Sequence, residues 1–388
     1  MFLYRLLMYV VACIVCIKGA AGAPLPHKRS TRSLYIFGDS LSDTGRLHTM
    51  TFGLVPPEPY WEGRFSNGPL WIEYLALLQG LQLEDYAVGA SESVDSHPDL
   101  FGLLPMAIPS THDQIETFAK AHPKYVSSSS SGGAGDTAVL EMGGNDIISH
   151  LAGILASGGT QAAVDSFADS LATTVVDQVQ RLRELGFRSV FVTNSPLLQS
   201  IPLIKLQNRV SVATNVVTTY NTALAAKLKK TFGVSSSSSS ASYKSSSSSS
   251  LQQSSGSFSC TLIDMSGFMQ LSMTSKVAGA LGVKETGSSC IAGNVMALVE
   301  NNKQMEAMLR LAFDLKDTLI CDNPQDHFFW DPIHPNDRIH RLFGYYVNEL
   351  IKAQAAGNGQ AFALSEANIL SLVSEHNLGS DTKKPAQI

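Results

Sequence analysis

The residue types with the clearest chemistry lie far apart in the sequence. Ser40 follows an apolar run in FGDSLSDTG, and Asp331 and His334 are close together in WDPIHP, near the other end of the chain. A serine becomes a nucleophile when a histidine takes its proton, and a carboxylate then orients the histidine. Pro332 and Pro335 stiffen the Asp–His segment because proline fixes a backbone dihedral. These side chains predict nucleophilic attack by Ser40, with His334 as general base and Asp331 as its partner.

Five strand-like runs are spaced along the chain, at intervals too long for hairpins. A helix is predicted from about Ala163 to Leu185, where apolar residues recur every three or four positions, and Gly186 ends it. A helix followed by a strand is typical of βαβ units, so we expect a parallel sheet with helices on both faces. The runs are LYIF at 34–37, LEDYAV at 83–88, AVLEMG at 138–143, SVFVTN at 189–194 and CTLIDM at 260–265.

Polar or small residues follow three of these strands. Ser40 comes after the first strand, Gly89 after the second and Asn145 after the third. Ligands of a parallel sheet bind beyond the carboxyl ends of its strands, so we expect these residues to converge on one edge. Each also has a purely structural interpretation: Ser40 as a helix N-cap, Gly89 as a tight-turn glycine and Asn145 as a turn residue.

Four segments together resemble the motif blocks of the GDSL, or SGNH, hydrolase family. They are FGDSLSDTG, YAVGAS, GGND and WDPIHP, in the family order. The segments GRFSNGPLWIEYLA at 63–76 and FVTNSPLLQSIP are also similar to segments of secreted plant, fungal and bacterial members. The resemblance covers about residues 34 to 350. It implies a three-layer α/β/α fold with a mainly parallel, flavodoxin-like five-stranded sheet.

The resemblance also implies a role for each motif residue. Ser40 would be the nucleophile, His334 the general base and Asp331 its orienting partner. The backbone amides of Ser40 and Gly89 and the side-chain amide of Asn145 would form the oxyanion hole. Donors fixed in advance at the developing negative charge stabilise the transition state. The implied activity is hydrolysis of carboxylic esters through an acyl-enzyme, without a cofactor or metal.

Two other classes of protein are compatible with parts of the sequence. GDSLSD and GGND faintly resemble blocks of metal-dependent phosphoesterases, but the early Asp-x-His and the late Gly-His-x-His of that class are missing. A non-catalytic surface-binding protein on the same scaffold would be expected to have a damaged triad. The missing Gly-x-Ser-x-Gly elbow argues against the common α/β-hydrolase form.

The sequence predicts the substrate less closely than it predicts the type of reaction. We expect short acyl esters, including carbohydrate acetates, with lipase or phospholipase activity on longer chains as the alternative. DLFGLLPMAIP at 99–109 would either line an acyl site or pack into the core. The net charge of −5 argues against nucleic acid as a partner. A monomer with no stable membrane anchor is expected.

The N-terminus predicts a secretory signal peptide over residues 1–23, and therefore an extracellular protein. Arg5 precedes an apolar stretch that is too short for a membrane span, and small residues follow it. Residues 24–32 would be a linker or short pro-segment, in which HKRS is either a dibasic processing site or solvated linker. The hydrolase domain would cover 33–353, followed by a peripheral tail at 354–388.

Serine runs and cysteines complete the sequence-level organisation. The runs at 127–131 and within 235–255 have few apolar residues to bury and predict mobile surface loops.

Two of the five cysteines would leave with the signal peptide. Cys260 lies in an apolar run, whereas Cys290 and Cys321 lie in polar surroundings and form the preferred disulfide pair.

Overall fold

A five-stranded parallel sheet forms the centre of the molecule. The computed structural model describes residues 32–94, 107–123, 135–234, 258–293, 318–355 and 362–380. Its strands are β1 (Ser33–Phe37), β2 (Gln82–Asp85), β3 (Thr137–Leu140), β4 (Ser189–Thr193) and β5 (Ser259–Ile263). The strand order is β2-β1-β3-β4-β5, and every neighbouring pair is parallel. This order is the flavodoxin-like one, so the predicted sheet is confirmed.

Helices cover both faces of the sheet, which gives the three-layer α/β/α architecture. The central strands are therefore apolar along almost their whole length, as in β1, where Leu34, Ile36 and Phe37 are fully buried. The helix Trp71–Gln79 packs against the helix Asp337–Ala355, and the helix Gln161–Glu184 packs against the helix Val210–Phe232. The helices are α1 (Arg46–Met50), α2 (Trp71–Gln79), α3 (Thr111–Ala121), α4 (Gly144–Ala156), α5 (Gln161–Glu184), α6 (Pro202–Leu206), α7 (Val210–Phe232), α8 (Met265–Ser272), α9 (Ser275–Ala280), α10 (Asp337–Ala355) and α11 (Glu366–Glu375).

Two small strand pairs hold the segment that carries Asp331 and His334. β6 (Glu285–Ser289) pairs in parallel with β9 (His327–Phe329), and β7 (Ile291–Gly293) pairs antiparallel with β8 (Thr318–Ile320). A disulfide joins Cys290 to Cys321, the pair favoured by the sequence, and Cys260 is free and buried. The Cys290 amide donates to the carbonyl of Phe329. One half of the disulfide is thus hydrogen-bonded to the strand that leads into the WDPIHP segment.

The C-terminal segment differs from the peripheral tail expected from residue 354 onward. α10 continues to Ala355, and α11 inserts its apolar side into the core. Ile369 and Leu378 are fully buried, and Leu372 and Val373 are nearly so. Ile369, Leu372 and Val373 are three and four positions apart, so the rest of the protein covers one face of α11, and Leu378 is buried just beyond the helix.

Several sequence predictions lie wholly or mostly outside the described residues. They are the signal peptide, the HKRS segment, both serine-rich insertions and most of the apolar stretch at 99–109. Ile108, at the end of that stretch, is buried. Among the described residues, no helix combines the length and the apolar character that a membrane span requires.

Candidate active site

Ser40 lies in a tight turn directly beyond β1. The Asp39 carbonyl accepts hydrogen bonds from the amides of Ser42 (3.1 Å) and Asp43 (3.0 Å), and Asp39 Oδ1 accepts from the Leu41 amide (3.0 Å). The turn passes very close to β3: a Cβ atom on Gly38 would lie only 3.0 Å from a backbone carbonyl oxygen. A glycine before Asp39 therefore allows the turn to form. It leaves Ser40 at the carboxyl edge of the sheet, as the strand pattern predicts.

The structure brings Ser40, His334 and Asp331 together although Ser40 and His334 are 294 positions apart. Ser40 Oγ is 2.8 Å from His334 Nε2, and His334 Nδ1 is 2.6 Å from Asp331 Oδ2. With its Nδ1 proton facing a carboxylate, the imidazole presents an unprotonated Nε2 to the Ser40 hydroxyl. This arrangement can accept the serine proton.

Asp331 is only 1% exposed, and several hydrogen-bond donors surround its carboxylate. Its Oδ1 accepts the backbone amides of Ile333 and His334, both at 2.7 Å, and its Oδ2 also accepts the Tyr60 hydroxyl at 2.6 Å. Burial acts to raise the pKa of Asp331, but the charge of His334 and these hydrogen bonds outweigh burial and lower the pKa below its ordinary value. Asp331 is therefore ionised at neutral pH and stabilises a protonated His334.

The segment between β1 and α2 packs against the histidine. The ring of Phe65 lies 5.1 Å from that of His334, and Ser66 Oγ donates to the Pro335 carbonyl at 3.1 Å. Asn67 accepts the first backbone amide of α10 at 2.8 Å. GRFSNGPLW therefore braces the Asp–His segment. No local sequence signal identified Tyr60 or Phe65, because their partners, Asp331 and His334, lie near the other end of the chain.

Asn145 lies in the first turn of α4, as the strand ends predict. Its Nδ2 donates to the Ser91 carbonyl at 3.0 Å and to Asp39 Oδ2 at 3.3 Å. The second of these bonds is long for an N–H···O contact and can be exchanged for a stronger acceptor. Within the described part of the chain, the Ser40 amide has no acceptor. The Ser40 amide can therefore donate directly to a negatively charged oxygen beside Ser40, and Asn145 Nδ2 can do so by giving up its bond to Asp39.

Gly89 differs from the expectation in one respect. Its amide donates to Asp43 Oδ2 at 2.7 Å, so it is already occupied. Asp43 is fully buried and also accepts the amides of Gly45, Arg46 and Leu47. A glycine is required at position 89, because a Cβ atom would collide with Phe65 and Leu47. An oxyanion could use this amide only after the contact with Asp43 is broken.

An apolar cavity opens beside Ser40 and His334. It extends between α8 and α10, and both of these helices contribute large apolar side chains to its walls. Such a lining binds an apolar group and excludes water. The wall residues include Leu198, Ile201, Phe268, Met269, Ile339 and Phe343.

A hydrogen-bonded Ser–His–Asp set at the carboxyl edge of a flavodoxin-like sheet defines an SGNH-type α/β/α protein. Residues 34–347 match the family described as GDSL-like Lipase/Acylhydrolase, and the chain belongs to this family. The resemblance noted from the four motif blocks is thereby confirmed.

Relatives with assigned names are moderately similar to the chain. A phosphatidylcholine-sterol acyltransferase from Aeromonas hydrophila is 28% identical over 193 residues, 49% of this chain and 52% of that protein. The chain thus spans about half the length of this relative. GDSL esterase/lipase At5g37690 from Arabidopsis thaliana is 23% identical over 367 residues, 83% of this chain and 90% of that protein.

A solved structure is weakly similar to this chain. LAE5, an α/β hydrolase from the metagenome of Lake Arreo, is 12% identical, with a TM-score of 0.35, and the match covers 82% of this chain and 95% of that chain.

Proposed function

We propose that the protein is a serine carboxylic ester hydrolase that works through an acyl-enzyme intermediate. The observation that carries this proposal is the continuous hydrogen-bonded path from Ser40 through His334 to Asp331. A nucleophile, a base and a buried carboxylate in this order are suited to acyl transfer. Family membership and the names of the relatives support the same reaction class.

The reaction begins when His334 Nε2 takes the proton of Ser40 and Oγ attacks the ester carbonyl. The carbonyl oxygen becomes an oxyanion, to which the Ser40 amide and Asn145 Nδ2 donate. The Gly89 amide joins them if its contact with Asp43 opens. His334 then gives its proton to the departing alkoxide, which leaves an acyl-serine. A water molecule deprotonated by His334 hydrolyses this ester and releases the acid.

The substrate is proposed to be a short acyl ester, including carbohydrate acetates. The apolar cavity beside Ser40 supports an acyl group as the part of the substrate that is buried. The same lining favours, as a second candidate, lipase or phospholipase activity on longer acyl chains. Secretion is also proposed, and the Cys290–Cys321 disulfide supports an oxidising compartment.

The test compares the wild type with Ser40→Ala on p-nitrophenyl esters from acetyl to palmitoyl and on acetylated sugars. The variant should remain folded and lose turnover by a factor of about 10⁴ or more. A serine-reactive phosphonate should label Ser40 and inactivate the wild type, whereas a chelator should have no effect. A folded Ser40→Ala protein with near wild-type turnover would contradict the proposal, and inactivation by the chelator alone would favour a metal-dependent phosphoesterase.

A further inference from the structure

Glu141 lies directly beneath the turn that carries Ser40. It follows β3, and its side chain is completely buried. Its Oε2 accepts the Ser42 hydroxyl at 3.2 Å and the Asp39 amide at 3.4 Å. A Cβ atom on Gly38 would lie 3.1 Å from the same oxygen, so the glycine makes room for this carboxyl group. A second acid is thus built into the base of the turn, beside Asp39.

The surroundings of Glu141 do not favour a charged carboxylate. Among the described residues, no lysine or arginine pairs with Glu141 or Asp39. The titratable groups that face this pair are Asp43 and His334 near Asp39 and Tyr220 of α7 near Glu141. Burial, followed by the charge of Asp39, raises the pKa of Glu141 well above its usual range. Burial without a cationic partner therefore favours the protonated form of Glu141.

The hydrogen bonds around Glu141 indicate which of its two oxygens carries the proton. Glu141 Oε1 is buried and accepts no hydrogen bond within the described part of the chain. An oxygen with no donor partner is the expected site of a carboxylic proton, which makes it a donor itself. The Asp39 amide donates to Glu141 Oε2 at 3.4 Å, which places the two acids side by side in the turn. Asp39 is thereby linked to Glu141 on one side and to Asn145 Nδ2 on the other.

We propose that Glu141 is a positioning residue that keeps a proton, shares it with Asp39 and so prepares Asn145 for the oxyanion. This inference rests on the proposed function. A full negative charge on Asp39 would hold the Asn145 amide and repel the oxyanion that forms beside it. The shared proton spreads that charge, so the 3.3 Å bond from Asn145 to Asp39 can give way to the oxyanion. The bond from Asn145 to the Ser91 carbonyl keeps the amide oriented.

Two substitutions distinguish a positioning role of Glu141 from a role in packing alone. Glu141→Gln retains an N–H donor for Asp39 and an acceptor for Ser42 but cannot ionise. Glu141→Leu fills a similar volume without either group. On p-nitrophenyl acetate, Glu141→Gln should keep kcat within a few-fold of wild type. Glu141→Leu should lose about 10- to 100-fold in kcat with little change in KM, the range typical of losing a group that holds a functional side chain.

The dependence of kcat on pH tests the shared proton, because a change in packing alone would not alter it. Wild-type kcat should fall at alkaline pH, when the Asp39–Glu141 pair loses its shared proton, and Glu141→Gln should lack this fall. Asp146→Asn is the matched control, because Asp146 is a buried acid on the same connection that bonds to Ser93 instead. This control should retain the alkaline fall.

Two results would overturn the inference: an unchanged alkaline fall in Glu141→Gln, or wild-type kcat in Glu141→Leu with a normal melting temperature. If Glu141→Leu does not fold, the profile of Glu141→Gln decides alone. Failure of the ester hydrolase proposal itself would appear separately, as activity retained by Ser40→Ala.

Discussion

The Tyr60 hydroxyl donates a 2.6 Å hydrogen bond to Asp331 Oδ2, the same oxygen that His334 contacts. Tyr60 is 4% exposed and precedes Asp331 by 271 positions. Burial and the charge of Asp331 raise the pKa of Tyr60 well above its ordinary value, so the hydroxyl remains a donor. It therefore limits the positions that the carboxylate, and through it the imidazole, can occupy.

Tyr60→Phe should retain the fold and lower kcat by about tenfold, because one donor to a buried carboxylate is worth about 1.5 kcal/mol. The measurement is steady-state hydrolysis of p-nitrophenyl acetate. Tyr74→Phe is the matched control, since Tyr74 is a buried tyrosine of α2 that does not contact Asp331. Equal kcat in the Tyr60 variant and the control would mean that Tyr60 only fills space.

Asn145→Gly and Asn145→Asp should separate an oxyanion donor from a turn residue. Loss of one such donor costs a factor of about 10² to 10³ in kcat, with KM less affected, because the bond strengthens in the transition state. Asn194→Asp is a suitable control, since Asn194 follows β4 and donates to Asp264 at 2.8 Å instead. Near wild-type turnover in both folded Asn145 variants would remove Asn145 from the oxyanion hole.

Asp146 should make the protein less stable as the pH rises from about 4 to about 6. Burial raises the pKa of Asp146 from 3.8 to about 6 in the folded state. Over this range Asp146 is ionised in the unfolded chain but still protonated in the folded protein. By pH 7 this difference lowers the free energy of unfolding by about 3 kcal/mol. Asp146→Asn should show a smaller decline in urea unfolding experiments between pH 4 and 7. Identical pH dependence in both proteins would exclude this contribution.

Phe268→Leu should shift acyl specificity towards longer chains. Phe268 is 1% exposed, lies on the cavity wall and packs against Phe343 with ring centroids 4.7 Å apart. Each additional methylene buried in the enlarged cavity is worth about 0.8 kcal/mol, or about fourfold in kcat/KM. The test is the ratio of kcat/KM for butyryl and acetyl esters, which cancels effects of stability. An unchanged ratio would place the acyl group elsewhere.

The five strands and the residues that follow them could be predicted because both depend on local pattern. Apolar runs separated by helical periodicity determine a parallel sheet, and the carboxyl ends of its strands must share one edge. Ser40, Gly89 and Asn145 could therefore be assigned to one edge, whereas Asp331 and His334 were joined to them by the need of a serine nucleophile for a base and by the resemblance to the family. The disulfide pair was chosen from the polarity of the surrounding residues.

The sequence by itself determined which residues could do chemistry and on which edge they would meet. Only the tertiary structure decided how their hydrogen bonds are distributed: Gly89 donates to Asp43, Tyr60 to Asp331 and the Asp39 amide to Glu141. The Asp331–His334 contact spans three positions and is favoured by the local chain, whereas the Tyr60–Asp331 contact spans 271. A buried polar group must find a partner, but packing of the whole chain decides which of several distant groups it reaches.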